Sequence, residues 1–310
     1  MNAMPDQPKG GTEILVETIK NNIDLTGVNF IVSICRPELL VPGVKNIVLQ
    51  ELSYDQENVQ GMRSPYFVDQ VDCFVYASHW CYEKFREHFN TPAWKSVVIK
   101  NATTEFQHKE KPKGKLKLIY TSTPWRGLHV LLDAFRLLNR DDIELDVYSS
   151  TTIYGKHFEQ LTAGQYDWLF EELEKTPGIN VKGYAPNEQI REAVQEAHIF
   201  AYPSTFEETS CISAIEAMCA GCQAVVTNYG ALYETCGEYA DFVSYDSDHR
   251  RLARNYAKIL TKAIDNYWTP ENQERLQEQF VFYNKNWTWQ RRFTQWQSLL
   301  EKVRSGPSVY

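Results

Sequence analysis

The sequence predicts an α/β protein whose parallel sheets are covered by helices on both faces. Short apolar runs typical of buried strands alternate along the chain with stretches of helical periodicity. This alternation is typical of parallel sheets, whose strands are buried on both sides. A chain of 310 residues that is 43% apolar is also long enough for two domains, each with its own core.

The first part of the chain is predicted to form one such domain, over residues 1–113. Its helices are expected at residues 12–21, 64–70 and 79–89, and its strands at residues 29–34, 45–49, 72–76 and 94–99. The polar stretch 101–114 has no apolar period and ends in Pro112-Lys113-Gly114. We therefore interpret it as the hinge between domains.

A second domain is predicted over residues 114–285. Its strands are expected at residues 116–121, 143–149, 179–181, 198–202, 224–227 and 241–243, with helices at 128–138, 166–175 and 187–196. Residues 250–303 are predicted to be helical, with a break near Thr269-Pro270. The last helix carries an apolar stripe on one face, which indicates packing; the stripe consists of Trp289, Phe293, Trp296 and Leu300.

Composition and charge exclude several classes of protein. A net charge of -8 argues against a nucleic-acid partner, which would favour a basic surface. The sequence contains no apolar run long enough for a membrane span, and residues 1–9 lack the apolar core of a signal peptide. The seven cysteines are scattered, so we expect free thiols in a cytoplasmic protein, with peripheral membrane contact left open. Cys219 and Cys222 are interpreted as small residues closing a helix.

The most informative segment is 203–221, which follows the predicted strand 198–202 and ends at Gly221. It spans a strand end, a loop and a helix, which is where open α/β sheets bind ligands. Glu208 falls in the loop, and Glu216 lies seven residues further on, about one turn into the helix. We expect the two carboxylates to face one crevice, with the amides of the helix N-terminus between them.

This pattern resembles the Glu-x7-Glu signature of retaining glycosyltransferases of the GT-B fold, family 4. The resemblance implies two Rossmann-like domains facing across a cleft, with the segment 286–310 packed back towards the first domain. It assigns Glu208 to the transferred sugar and Glu216 to the nucleotide ribose. From the residues alone, a capping box from Ser213 to Glu216 on an ordinary helix is an alternative interpretation.

The departing diphosphate of such a donor needs positive charge and oriented N–H groups. The segment 120–132 suggests both, because Thr123 is a candidate N-cap, Pro124 a candidate first helical residue, and Arg126 would lie in the first turn. Family-4 enzymes have a basic residue followed by Gly here, which Arg126-Gly127 matches. Their second basic residue is replaced by Thr121. The resemblance places Ser122 and Thr123 beside the donor, and Arg126 in catalysis.

A second candidate for phosphate binding is Gly10-Gly11, which opens a predicted helix and allows backbone amides to approach an anion. A simple turn is the alternative. In the family, a similar Gly-Gly segment follows the first strand and closes over the donor phosphates. Residues 1–9 do not form a convincing apolar strand, so we expect a trimmed first domain. Lys9 is a candidate for the missing base.

Further matches extend the resemblance from about residue 115 to residue 234. Residues 180–186 resemble the turn beside the nucleotide base, which assigns Tyr184 to the donor site. Residues 228–234 resemble a Gly-Gly-x-x-Glu loop, with Ala231 at the second glycine. The amides of the motif loop would hold the diphosphate and sugar; these belong to Thr209, Ser210, Cys211 and Ile212. No histidine stands at the comparable strand end of the first domain, residues 49–55.

No cofactor or metal is expected. Asp246 and Asp248 could be mistaken for the metal-binding Asp-x-Asp of other glycosyltransferases, but they precede a predicted helix, where Asp is a common N-cap.

The predicted function is transfer of a sugar from a UDP- or GDP-linked donor to a glycan, lipid-linked or other acceptor, with retention of anomeric configuration. Two alternatives stay open. One is a nucleotide-sugar epimerase, and the other is a catalytically degenerate GT-B protein that binds a nucleotide sugar or glycan without turnover. A nicotinamide oxidoreductase is disfavoured, because no Gly-x-Gly-x-x-Gly follows a strand.

Overall fold

The computed structural model describes residues 10–151 and 164–306. Its strands form two sheets, and every strand pair among the described residues is parallel. The first sheet has four strands that lie side by side in chain order: β1 (Val28–Val32), β2 (Lys45–Gln50), β3 (Cys73–Tyr76) and β4 (Ser96–Val98).

The second sheet has six strands: β5 (Leu116–Thr121), β6 (Ile143–Tyr148), β7 (Ile179–Val181), β8 (Ile199–Tyr202), β9 (Gln223–Asn228) and β10 (Asp241–Ser244). They lie in the order β10-β9-β8-β5-β6-β7, so the chain reverses direction across the sheet between β5 and β8. The predicted α/β class with two parallel sheets is confirmed.

Helices cover these sheets, and most predicted elements are confirmed with shifts of one or two residues. The helices are α1 (Gly11–Asn22), α2 (Pro65–Gln70), α3 (His79–Phe89), α4 (Leu128–Leu138), α5 (Asp167–Glu174), α6 (Asn187–Glu196), α7 (Ile212–Cys219), α8 (Leu232–Cys236), α9 (His249–Asp265), α10 (Pro270–Asn286) and α11 (Trp289–Ser305). The predicted strand 94–99 is shorter than expected. Residues Ala93–Lys95 form a 3-10 turn in which Lys95 N donates to Pro92 O, and β4 begins only at Ser96.

Local sequence explains where several helices begin. The Ser78 hydroxyl accepts from Cys81 N at the start of α3, and the Thr269 hydroxyl accepts from Asn272 N ahead of Pro270 in α10. The carboxylate of Asp248 accepts from the backbone N–H groups of Arg250 and Arg251. The interpretation of Asp248 as an N-cap is therefore confirmed.

The predicted range of α4, 128–138, is confirmed, but the roles expected of Thr123 as its N-cap and Pro124 as its first residue are wrong. The helix begins at Leu128, so Thr123, Pro124 and Arg126 lie in the turn before it. The N-cap is Gly127 at φ 94°, and a Cβ there would lie 2.0 Å from Pro203 O at the end of β8. The turn therefore approaches the neighbouring strand end too closely for any other residue.

The last helix packs on the first sheet. Its Trp296 and Leu300 are buried in one cluster with Leu15 of α1 and Ile47 of β2, and the Trp296 ring contacts Phe30 at a centroid distance of 5.7 Å. The apolar stripe thus holds the two ends of the described chain against the same core.

Two further findings concern the whole chain. All seven cysteines are buried free thiols, as expected. Within residues 10–151 and 164–306, none of the helices combines the length and apolar character that a membrane span needs.

Candidate active site

A cavity of about 480 Å³ opens at the carboxyl ends of β5 and β6, between the second sheet and α1. Its lining combines the strand ends, the start of α7, part of α6 and the linker after β4. This is the edge at which open α/β sheets bind ligands. Of the sequence-predicted site residues, those that line it are Gly11, Ser122, Thr123, Tyr184, Ile212 and Glu216.

Two helix N-termini meet at this cavity. Gly10 is the buried N-cap of α1 and Cys211 that of α7, and neither N-terminus is capped by a side-chain hydrogen bond. A Cβ on Gly11 would lie 3.0 Å from Ile212 Cδ1, so the glycine lets the two helix starts approach closely. Their partial positive charges favour an anion here.

Glu216 is the fifth residue of α7, and the cavity wall includes it. Its Oε1 accepts hydrogen bonds at 3.3 Å from Arg191 Nη1 and at 3.3 Å from the Thr103 hydroxyl. Burial raises the pKa of the Glu216 carboxyl, and Arg191 and Thr103 oppose that rise. The capping-box interpretation is wrong, because the Ser213 hydroxyl donates to Thr121 O at 2.7 Å instead.

Glu208 lies elsewhere. Its side chain is 4% exposed, and it is absent from the described residues that line the cavity. Its carboxylate pairs with Arg126 and accepts from the Tyr202 hydroxyl at 2.6 Å and the Ser204 hydroxyl at 3.4 Å. The expectation that Glu208 and Glu216 face one crevice is therefore wrong for this conformation, because a buried carboxylate is held by the nearest donors.

Arg126 was expected to sit in the first turn of a helix and meet an anion there. Instead its guanidinium stacks over the Phe206 ring at 4.3 Å and pairs with Glu208. It is not among the described cavity-lining residues. Arg126 follows closely on Ser122 and Thr123, which do line the cavity. The Tyr202 hydroxyl contacts both Glu208, at 2.6 Å, and Ser122 Oγ, at 3.3 Å, so the pair stands beside the site.

The rest of the motif loop is hydrogen-bonded to residues at the strand ends of the first sheet. The Thr209 hydroxyl donates to Glu51 O at 2.8 Å, and the Ser78 hydroxyl donates to Thr209 O. Thr209, Ser210 and Cys211 are buried and are not among the described lining residues of the cavity. Of the four amides assigned to the donor, only that of Ile212 belongs to a lining residue.

The loop 228–234 packs against the motif segment and against α3. Gly230 is required, because a Cβ there would lie 2.5 Å from Glu208 N. Glu234, however, accepts from His79 N at 2.8 Å and pairs with Lys100 Nζ at 2.8 Å. Its carboxylate therefore caps α3, which packs on the first sheet.

Comparison with known proteins identifies the family. Residues 101–279, more than half of the chain, match the sequence profile of glycosyl transferases group 1. The chain belongs to the glycosyl transferases group 1 family. None of the curated protein sequences compared with this group 1 chain matches it significantly.

Solved structures share the architecture of this glycosyltransferase chain at low sequence identity. A glycosyltransferase from Rickettsia africae has a TM-score of 0.71 at 14% identity, with 98% of this chain and 84% of that one covered. Anabaena HepE, solved with UDP-glucose, has a TM-score of 0.69 at 15% identity, with 94% and 82% covered. The pneumococcal O-GlcNAc transferase GtfA, solved with UDP and GlcNAc, has a TM-score of 0.64 at 13% identity, with 94% and 60% covered. The predicted GT-B fold is confirmed.

Sequence reasoning missed Arg191 in this group 1 chain. It is the single Lys or Arg among the described residues that line the cavity. Thr121 stands where family members have a second base, and Lys9, the candidate substitute, lies outside the described residues. Helix α6, which carries Arg191, was predicted correctly, but none of the short family motifs includes this helix. Two further lining residues, Thr103 and Ser149, were missed for the same reason.

Proposed function

We propose that this chain transfers a sugar from a nucleotide diphosphate sugar to an acceptor hydroxyl, with retention at the anomeric carbon, as a family-4 enzyme. The observation that supports this best is Glu216, a buried carboxylate on the wall of a 480 Å³ cavity at the sheet edge. A carboxylate in this position suits the paired hydroxyls of a ribose. The adjoining helix N-termini suit the diphosphate.

In the proposed reaction, the bond between the anomeric carbon and the phosphate oxygen breaks, and a bond to the acceptor oxygen forms on the same face. The acceptor proton passes to the departing phosphate. The enzyme contributes orientation and charge stabilisation. Glu208 would hold the sugar hydroxyls, and Arg126 would stabilise the charge that develops on the leaving group, after exchanging its contact with Glu208. No metal takes part in this proposal.

Of the two donors considered, UDP- and GDP-linked, the UDP-linked one is the first choice, because HepE was solved with UDP-glucose and GtfA with UDP and GlcNAc. Thermal unfolding in the presence of UDP-, GDP- and ADP-sugars identifies the base. A ligand at 100 times its Kd adds about 2.7 kcal/mol to stability. No stabilisation by any of these donors would contradict the proposal.

Turnover is tested with the donor so identified. Glu208→Gln should slow transfer by about 100-fold or more, because the carboxylate that would hold and orient the sugar hydroxyls at the reacting centre is lost. Glu207→Gln, next to it in the same loop and bonded to the Tyr54 hydroxyl at 3.3 Å, is the matched control and should stay near the wild-type rate. Wild-type turnover by Glu208→Gln would refute the assignment of Glu208.

Binding without turnover is a second candidate. It is favoured by the burial of Glu208 and by its existing contacts with Arg126 and Tyr202. A donor that stabilises the protein but is never consumed with any acceptor would support it. Conversion of the donor sugar without an acceptor would instead indicate an epimerase.

A further inference from the structure

The contacts of Arg191 point to a role that the family motifs do not cover. Its Nη1 donates to Glu216 Oε1 at 3.3 Å and to the Thr103 hydroxyl at 2.8 Å. Its Nη2 donates to Thr104 O at 3.1 Å and to Glu105 O at 3.3 Å, and its guanidinium lies 3.7 Å from the centre of the Phe106 ring. The guanidinium of Arg191 is therefore held both by the Glu216 carboxylate and by the interdomain linker.

The linker that contacts Arg191 is hydrogen-bonded to the segment at the start of the last helix. Thr103 forms a parallel bridge with Thr288, in which Thr103 N donates to Trp287 O at 3.0 Å and Trp289 N donates to Thr103 O at 3.2 Å. Trp289 is the first residue of α11 and lines the cavity. The carboxylate of Glu216 is thus connected through Arg191 and Thr103 to the linker and to the helix that returns to the first domain.

We propose that Arg191 is a positioning residue that keeps Glu216 ionised and correctly oriented for the donor nucleoside, and that it ties this site to the interdomain linker. The proposal rests on the proposed function, since it assumes a nucleotide in the cavity. A buried carboxylate without a cationic partner takes up a proton, and a protonated carboxyl is a weaker acceptor for hydroxyl groups.

The charged neighbourhood of Glu216 supports this assignment. Apart from Arg191, the titratable side chains that line the cavity with Glu216 are acids and phenols, namely Glu17 on α1, Tyr148 at the end of β6, Tyr184, and Glu188 on α6, and the Cys219 thiol on α7 lies close to Glu216. Arg191 is the one cation among the described residues of the lining. Removing it leaves no positively charged side chain among the described lining residues to oppose the effect of burial on Glu216.

The test is the affinity of Arg191→Met for UDP and for uridine, or for GDP and guanosine if the donor panel selects guanine, from about pH 6 to about pH 8.5. We expect Kd near pH 7 to rise about tenfold for nucleotide and nucleoside alike, because Glu216 faces the ribose in both ligands. The loss should shrink as pH rises and Glu216 ionises. Arg191→Lys keeps the charge and should keep the wild-type pH profile.

Further variants keep the test independent of folding. Thr103→Val removes one hydroxyl contact and should shift the pH profile in the same direction by a smaller amount. Arg136→Met removes a similar arginine that pairs with Glu172 at 2.8 Å on the surface, and should leave Kd unchanged. Circular dichroism checks that each variant is folded.

Two results would overturn the inference alone. One is unchanged affinity of Arg191→Met for ligands that the wild type binds, and the other is a loss for UDP that exceeds the loss for uridine by more than about threefold, since that would mark a phosphate contact. Binding of neither nucleotide by the wild-type protein would overturn the proposed function, and this inference with it.

Discussion

The two glutamates of the motif have different surroundings, and the difference suits different tasks. Glu208 is held by Arg126, Tyr202 and Ser204 in a closed network, whereas Glu216 stands on a cavity wall with Arg191 as its ionic partner. A carboxylate in a closed network is fixed in place, while one on a wall is accessible to a ligand. We therefore expect the donor nucleoside to contact Glu216 before any part of the donor contacts Glu208.

A third carboxyl, Glu51, lies after β2 and has an unusual environment. Its Oε2 accepts from Asn101 Nδ2 at 2.8 Å, while its Oε1 is shielded from solvent and has no hydrogen-bond partner among the described residues. Burial raises the pKa of Glu51 from 4.5 to about 7, and the Asn101 contact opposes the rise.

This raised pKa predicts a pH-dependent stability. Folding then takes up a proton, so the stability associated with protonated Glu51 is fully present below pH 4.5 and is lost as pH rises through about 7. Glu51→Gln, which cannot ionise, should gain in melting temperature relative to wild type as pH rises from 4.5 to about 7, the window between the two pKa values. The exposed Glu174→Gln is the control. A constant difference in melting temperature between Glu51→Gln and wild type would contradict this.

At the scale of elements, the position of the site depends on how closely loops approach the ends of strands. The turn before α4 and the loop 228–234 both bring main chain against the motif segment, at Gly127 and Gly230. Neither glycine has room for a Cβ, because Pro203 O or Glu208 N lies in the way. These close contacts fix the positions of the backbone segments that carry Arg126 and Glu208, and therefore the place where the two side chains pair.

Substitution of Gly127 tests this account. Gly127→Ala combines a positive φ of 94° with a Cβ 2.0 Å from Pro203 O, and should lower the free energy of unfolding by about 2 kcal/mol or more. Gly114→Ala is the matched control, since Gly114 has φ 110° and no atom within 4 Å of the added Cβ. Gly114→Ala should lower the free energy of unfolding by only about 1 kcal/mol. Urea unfolding measures both, and equal losses would show that the close approach is unimportant.

At the scale of the whole molecule, periodicity predicted the two parallel sheets, because strand and helix patterns depend on residues close in sequence. The range of α4 was predicted correctly, but its N-cap was wrongly assigned, because Thr123-Pro124 looks like a helix start locally while the true N-cap, Gly127, is dictated by contact with Pro203. The positions of Glu216 and Gly11 beside the cavity followed from the motifs. Arg191 could not be predicted, because its partners lie 25 and 88 residues away.

The contacts between the elements of the two sheets could not be predicted from the sequence either. Glu234 caps α3 across the domain boundary, and Thr209 binds the backbone of Glu51. Each contact joins residues more than a hundred positions apart, so no local sequence pattern indicates it. These contacts hold the motif loop and the loop 228–234 against the elements of the first sheet.

A crystal structure with the nucleoside diphosphate selected by the donor panel tests the central claim most directly. The account predicts the ribose hydroxyls within about 3.2 Å of the Glu216 carboxylate, with the diphosphate near the N-termini of α1 and α7. A nucleotide bound elsewhere, with Glu216 still contacting only Arg191 and Thr103, would contradict it.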